Sequence, residues 1–290
     1  MYRPIRNSGQ LCPRAVRFSR CDPAPDLGEL VQEFWQYDVR EGFDRVPIQV
    51  FPSACVVLRF DIAPAGVESV LYAPSASPEM KSFFRHGVSA FGVALQVGRA
   101  YPVLGCGIPE LGATRLPLEN LWSRSVESLE MQLTAARGFE ARVAVLSRAL
   151  RAALRLPAGT TPAVNRWLDE VLRDSGARNG AACDRTLRRQ FHRYVGHSPK
   201  QLQRIIRLQS ALRRLAEPSA SLPQLAIGAG FSDQSHFHRE FVRLFGMTPG
   251  FFRRSVGQFH RTDLSIWQGA PILQETGLVS RSDAEFRSGE

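Results

Sequence analysis

Two stretches of this chain repeat one another at an offset of fifty residues. Leu187, Arg189, Phe191, Arg193, Gly196, Ser198 and Pro199 are answered by Phe237, Arg239, Phe241, Arg243, Gly246, Thr248 and Pro249. A shared helical register followed by Gly and then Ser/Thr-Pro describes one structural unit made twice. Two copies are too few for a solenoid, whose repeats need several neighbours to bury a continuous core. Both copies are rich in arginine, as befits a pair of similar reading heads.

Charge is concentrated around the repeat. Residues 1–159 hold 18 Lys and Arg against 15 Asp and Glu, whereas residues 160–256 hold 16 against 7. The tail from residue 257 holds 3 against 5. A localised basic segment is the footprint of a polyanion binder; a charge kept for solubility would be spread evenly. The cysteines, Cys12, Cys21, Cys55, Cys106 and Cys183, are odd in number and widely spaced, with no C-x-x-C pair. That usage fits a reducing compartment better than a disulfide framework. The basic N-terminus lacks the apolar core of a signal peptide, and no apolar run approaches a membrane span. The expectation is a cytoplasmic protein with no membrane contact.

The texture of the chain changes three times. Residues 1–26 read as a loose arm, and Leu27 to Tyr37 carries Leu30, Val31, Phe34 and Trp35 at helical spacing. Runs at Ile48–Phe51, Ala54–Ile62, Glu68–Ala73 and Val88–Val97, punctuated by Pro52, Pro64, Gly66 and Pro74, read as strands. From Leu118 onward the pattern is helical. One stripe is Leu121, Trp122, Val126, Leu129 and Leu133; a second is Phe139, Val143, Leu146, Leu150 and Leu154. The second stripe nearly follows the a/d spacing that seats one helix on another. It either packs on the chain's own β region or forms a homodimer seam through Val143, Leu146, Leu150 and Leu154. The expected division is a β-rich domain with C-terminal helices over 1–155 and a linker over 156–162. An all-α DNA-binding domain over 163–256 and a polar tail over 257–290 complete it. The knot of Leu264, Ile266 and Trp267 in the tail reads as part of a frayed terminus.

The second repeat is the cleaner of the two. Leu222, Leu225 and Ala226 give a short helix, and Gly230-Phe231 breaks it. Ser232 then caps a second helix, in which Phe237, Phe241, Leu244 and Phe245 share one face. Gln234, Ser235, His238 and Arg239 share another. Gly246 ends that helix and Thr248-Pro249 starts the next. Helix, sharp turn, helix presents the second helix as a rod for the DNA major groove. Gln and Arg on its exposed face suit adenine and guanine edges. In the first repeat Arg185, Arg188 and Arg189 lie opposite Leu187 and Phe191. Between the repeats, Ser198-Pro199 opens a helix to about Leu215, a rod of roughly 25 Å. With the offset of each recognition helix, the heads can sit about 34 Å apart, one turn of B-DNA.

The segment GFSDQSHFHREFVRLFGMTPGFFRR, Gly230–Arg254, resembles the signature of the AraC/XylS family of bacterial transcription regulators. RTLRRQFHRYVGHSPKQLQRIIRLQSALRRL, Arg185–Leu215, resembles the family's first motif and linker helix. The resemblance implies base contacts from Arg185, Arg188, Arg189, Gln234, Ser235, His238 and Arg239. It implies phosphate contacts from Arg193, Ser198, Lys200 and Thr248. One departure is SGARNGAAC, Ser175–Cys183, where the family has a helix containing Leu-Ala. The passage Phe91–Trp122 resembles, more weakly, the cupin-like sensory domains attached to such regulators. The fold class implied is α+β, a β-rich cupin-like domain followed by two helix-turn-helix motifs on a linker helix. The implied partners are double-stranded promoter DNA, a second copy of the chain, RNA polymerase and a small-molecule effector.

Three rivals fare worse. A metal-dependent cupin enzyme needs clustered histidines and carboxylates, and residues 1–159 hold one histidine, His86. A DNA-repair alkyltransferase wants a zinc-bound cysteine cluster, for which these cysteines are too scattered. His236 and His238, at i and i+2, point to different faces of their helix. No catalytic residue, metal or cofactor is expected. A non-specific nucleoid protein would bind through phosphates alone, leaving Gln234 without purpose.

Overall fold

The computed structural model describes residues 16–49, 53–75, 81–122, 124–154, 162–173, 185–215, 221–246, 248–256, 272–273 and 279–280. The proposed linker, the Ser175–Cys183 passage and the Leu264–Trp267 knot lie outside them almost entirely.

Six antiparallel strands form the main sheet. They are β1 (Val16–Cys21), β2 (Val31–Val39), β4 (Val57–Ala63), β5 (Gly66–Tyr72), β7 (Ser89–Leu95) and β8 (Arg115–Pro117), in the order β1-β2-β7-β4-β5-β8. A smaller sheet pairs β3 (Phe43–Gln49) with β6 (Lys81–Arg85). Two short tail strands, β9 (Ile272–Leu273) and β10 (Val279–Ser280), also pair with β3. The tail is therefore not merely a frayed end.

The central strands β2, β4 and β7 of the main sheet are buried on both faces, and this overturns one expectation. Leu30, Val31, Phe34 and Trp35 fall at helical spacing in the sequence, yet the segment from Val31 is strand β2. Phe34 enters a core shared with the helices, while Trp35 and Tyr37 enter a second core facing the small sheet. Two-sided burial erases the alternation by which a strand is recognised. Tyr37 stacks on Phe84 of β6 with ring centroids 4.6 Å apart. Trp35 lies across β7 at Gly92, where an added Cβ would fall 2.3 Å from the indole ring. The arm read as loose likewise contains β1, which pairs along its length with β2.

Helices cover the other face. These are α1 (Tyr101–Leu104), α2 (Glu119–Trp122), α3 (Arg124–Ala135) and α4 (Phe139–Ala153). Leu146 and Leu150 are fully buried in the core with Phe34, Phe60 and Phe91, and Phe139, Val143 and Leu154 pack partly against it. The stripe therefore serves the chain's own sheet. Leu146 and Leu150 can join a seam between two chains only by leaving that core, whereas Val143 and Leu154 are only half-buried.

The C-terminal domain is helical. It comprises α5 (Pro162–Arg173), α6 (Arg185–Val195), α7 (Pro199–Leu215), α8 (Leu222–Gly228), α9 (Gln234–Phe245) and α10 (Pro249–Val256).

Candidate nucleic-acid interface

The second head is built by local rules. Ser221 caps α8 and trades hydrogen bonds with Gln224, its Oγ accepting from the Gln224 N–H. This capping box satisfies two N–H groups that the helix leaves unpaired. Gly230 then adopts φ 79°, a conformation that costs glycine little. The cap of α9 is Asp233 rather than Ser232. Asp233 Oδ1 accepts from the His236 N–H at 2.7 Å. Ser232 Oγ lies one step back, donating to Asp233 Oδ2 at 3.0 Å. These bonds hold the Asp233 carboxyl below its ordinary pKa, so a full negative charge sits at the helix start. Phe237, Phe241, Leu244 and Phe245 are buried, and Gln234, Ser235, His238 and Arg239 are exposed on the opposite side. Gly246 closes the helix at φ 69°, and Thr248 Oγ1 accepts from the Phe251 N–H at 3.1 Å to start α10.

The first head repeats the scheme on α6. Phe191 and Val195 are buried, and Phe191 packs on Trp167 of α5 with centroids 4.7 Å apart. Arg185, Arg188 and Arg189 are exposed. Ser198 and Gln201 form a reciprocal cap ahead of α7, as Ser221 and Gln224 do ahead of α8. Both caps are S-x-x-Q boxes, a local signal visible in the sequence itself.

Both heads hang on α7. Leu202 and Ile205 join the core of the first head, while Leu208, Ala211 and Leu215 join that of the second. Three α7 arginines also fasten the second head. Arg204 pairs with Glu240 of α9. Arg207 lies 5.5 Å from the centroid of the Phe231 ring, and Arg214 Nη1 donates to the Gly228 carbonyl at 2.6 Å. Part of the positive excess is thus internal fastening and not a surface for polyanions.

All seven residues expected at base edges are exposed and fall on the two recognition helices, with the aromatic cores behind them. The residues expected at phosphates divide. Lys200 and Thr248 are exposed, and Ser198 is half-buried at the start of α7. The Ser198 and Thr248 hydroxyls accept from backbone N–H groups as caps, and a hydroxyl that accepts can still donate. Arg193 is placed differently from expectation. Its Nη2 is 3.1 Å from Glu110 Oε1 in the β-rich domain, and its guanidinium lies 5.8 Å from the Tyr101 ring centroid.

The same end of α6 docks on the β-rich domain. Tyr194 meets Tyr101 edge-on at 5.3 Å, and Gly196 sits against Ile108. His197 is buried, hydrogen-bonded to the Ser53 backbone, and burial holds its imidazole below the ordinary pKa. Nothing local in the sequence announces these long-range contacts. Among the described residues no group of His, Cys, Asp and Glu could hold a metal ion, and no helix is long and apolar enough to cross a membrane.

Comparison with known proteins adds the following. Residues 180–255 match a family described as a helix-turn-helix domain. Residues 19–117 match a domain of unknown function, DUF6597. The HTH-type transcriptional regulator GlxA of Rhizobium meliloti is 39% identical over 95 residues, 33% of this chain and 28% of that protein. The HTH-type transcriptional activator RhaS of Escherichia coli is 33% identical over 95 residues, 33% of this chain and 34% of its own length. The HTH-type transcriptional regulator MtrA of Neisseria gonorrhoeae is 35% identical over 72 residues, 25% of this chain and 24% of its own. The chain thus spans about a third or less of the length of these curated relatives. Among solved structures, ToxT of Vibrio cholerae is 12% identical, covering 82% of this chain and 97% of its own, with a TM-score of 0.39.

Proposed function

We propose, for a chain that belongs by its C-terminal domain to the AraC/XylS family of transcription regulators, sequence-specific binding of promoter DNA. In this reading α6 and α9 enter successive major grooves on one face of the duplex. The observation that carries it is the pairing of like with like. Each recognition helix buries an aromatic face against α7 and leaves long polar side chains outside. Arg185, Arg188 and Arg189 read bases in one groove; Gln234, Ser235, His238 and Arg239 read them in the next. Lys200, Ser198 and Thr248 position the heads on phosphates, the sequence-independent part of the affinity. Arg193 keeps its pair with Glu110 and communicates with the β-rich domain.

The same reading gives the β-rich domain regulatory work, as a sensor of a small effector and a site of pairing between two copies. Pairing would use the outward faces of α3 and α4, since the inward stripe of α4 is spent on the sheet. RNA polymerase is the further partner, and the likeness to RhaS favours activation of transcription.

In-vitro selection from a random duplex pool at fixed salt tests the DNA reading. A bipartite consensus with half-sites about 10 base pairs apart is expected. Retention of random sequence with no enrichment would leave the nucleoid-type alternative in its place.

A further inference from the structure

A pocket of about 570 Å³ opens between the main sheet and β6, lined by the β-rich domain alone. Strand alternation on β4 sends Leu58, Phe60 and Ile62 to the core under the helices, and Arg59, Asp61 and Ala63 to the pocket. Asp61 stands opposite Ala90 on β7, a side chain too short to cover it, and opposite Glu68 on β5.

Arg59 is the unusual group in it. The residue is 5% exposed. Its Nε donates to Asp61 Oδ1 at 2.8 Å, and its guanidinium lies 5.2 Å from the centroid of the Phe84 ring. Those two contacts fix the plane of the guanidinium. Its terminal nitrogens, Nη1 and Nη2, have no hydrogen-bond partner among the described residues, and they are not sealed from solvent as unpartnered interior atoms are. A buried cation held at one edge and open at the other presents a fork of N–H donors that matches a carboxylate.

The charges around it say what would complement the fork. Arg59, Arg85 and Arg115 line the pocket with Asp61 and Glu68. Asp61 is engaged by Arg59, and Glu68 Oε1 accepts from Arg115 Nη2 at 2.7 Å. Arg85 is exposed and has no ion pair among the described residues. One positive charge is left over, which suits a monoanion; an organic cation would meet a net positive site. Asp61 and Glu68 each keep a second oxygen, Oδ2 and Oε2, with no donor among the described residues. These acceptors call for hydroxyl groups on the ligand, and a bare hydrocarbon body would cover them without a bond.

We propose that this pocket binds a small hydroxycarboxylate. Its carboxylate accepts from Nη1 and Nη2 of Arg59, and Arg85 adds attraction at the rim. Its hydroxyl groups donate to the second oxygens of Asp61 and Glu68. Arginine is required at position 59 for its geometry, since lysine supplies the same charge without the planar fork. The ligand class so named belongs to the β-rich domain's proposed work as a sensor. The regulatory consequence rests on that reading; the binding does not.

The test is calorimetry on the full-length protein at about pH 7, where a carboxylate is ionised. Three probes of one chain length are titrated: gluconate, sorbitol, which has the hydroxyls without the charge, and hexanoate, which has the charge without the hydroxyls. Gluconate should saturate, with the other two at least about tenfold weaker. Arg59→Lys should weaken gluconate at least about tenfold. Two further substitutions leave the Arg59–Asp61 pair intact. Ala63→Trp, which fills the pocket from β4, should abolish gluconate binding, and Arg85→Gln, at an exposed side chain, should weaken it. Absence of saturation by gluconate, an equal or better fit of sorbitol or hexanoate, or gluconate binding indifferent to these substitutions overturns the site. DNA affinity measured with and without saturating gluconate separates this site from the reading above. Gluconate bound with an unchanged Kd for DNA removes the sensory role and leaves the pocket. Gluconate unbound with sequence selection intact removes the pocket and leaves the DNA-binding function.

Discussion

Glu33→Gln should make the protein more stable near and above neutral pH, and the gain should vanish in mild acid. Burial pushes the Glu33 carboxyl from its ordinary 4.5 up to about 7; Arg20 pulls it back and Asp22 adds to the rise. Between those values the folded chain holds a proton that the unfolded chain has lost. Stability then falls as pH rises through the window, because it rises with pH only where the unfolded state binds more protons. Below about pH 4.5 both states are protonated and no penalty exists. Above about pH 7 the whole penalty is present. At about 1.4 kcal/mol per pH unit, the gap corresponds to a cost on the order of 3 kcal/mol. Glutamine keeps the shape of the neutral side chain and cannot ionise, so the variant escapes that cost. The assay is thermal or urea unfolding of both proteins at steps from about pH 3.5 to pH 8.5. Other titrating groups are common to both and cancel in the difference. The variant's advantage should start near zero and grow to on the order of 3 kcal/mol. A difference that is flat with pH, or a variant less stable at high pH, would show Glu33 ionised and well compensated at neutrality.

Three other outcomes follow from single contacts. Gly92→Ala should cost about 1–3 kcal/mol in unfolding experiments, since its Cβ would overlap the indole of Trp35 on the neighbouring strand. Asp233→Ala should fray the first turn of α9, seen as faster amide exchange at Ser235 and His236, and weaken DNA binding without altering the preferred sequence. Arg188→Ala and Arg239→Ala should each relax selectivity at one base pair and cost about 1–3 kcal/mol; a uniform loss across sequences would mark the residue as a phosphate anchor.

The parts of this molecule that sequence shows best are those made by neighbours along the chain. Gly246 before Thr248-Pro249, and Gly196 before Ser198-Pro199, mark helix ends by backbone rules that need no tertiary context. So α7 could be placed from Ser198-Pro199 to Leu215, and the faces of α6 and α9 could be sorted into aromatic core and polar surface. Where two neighbouring residues could fill one role, as Ser232 and Asp233 could at the cap of α9, the sequence alone did not decide. The failures are long-range. The β2 segment looked helical because its strand is buried on both faces. The α4 stripe announced an apolar surface without saying which surface it meets. Arg193, Arg204, Arg207 and Arg214 all added to a basic total, yet each is fastened to another part of the protein. Charge counted along a chain does not separate an arginine that reads DNA from one that ties two helices together. Glu33 is one acidic residue among 27 in the sequence, and only its place beneath Arg20 makes it unusual.

The most direct test of two heads on one rod is hydroxyl-radical footprinting of the full-length protein on a selected site. Two protected patches on the same face of the duplex, centred about 10 base pairs apart, are expected. Arg188→Ala should erase one patch and Arg239→Ala the other. A single patch, or two on opposite faces, would contradict the placement of α6 and α9 in successive grooves.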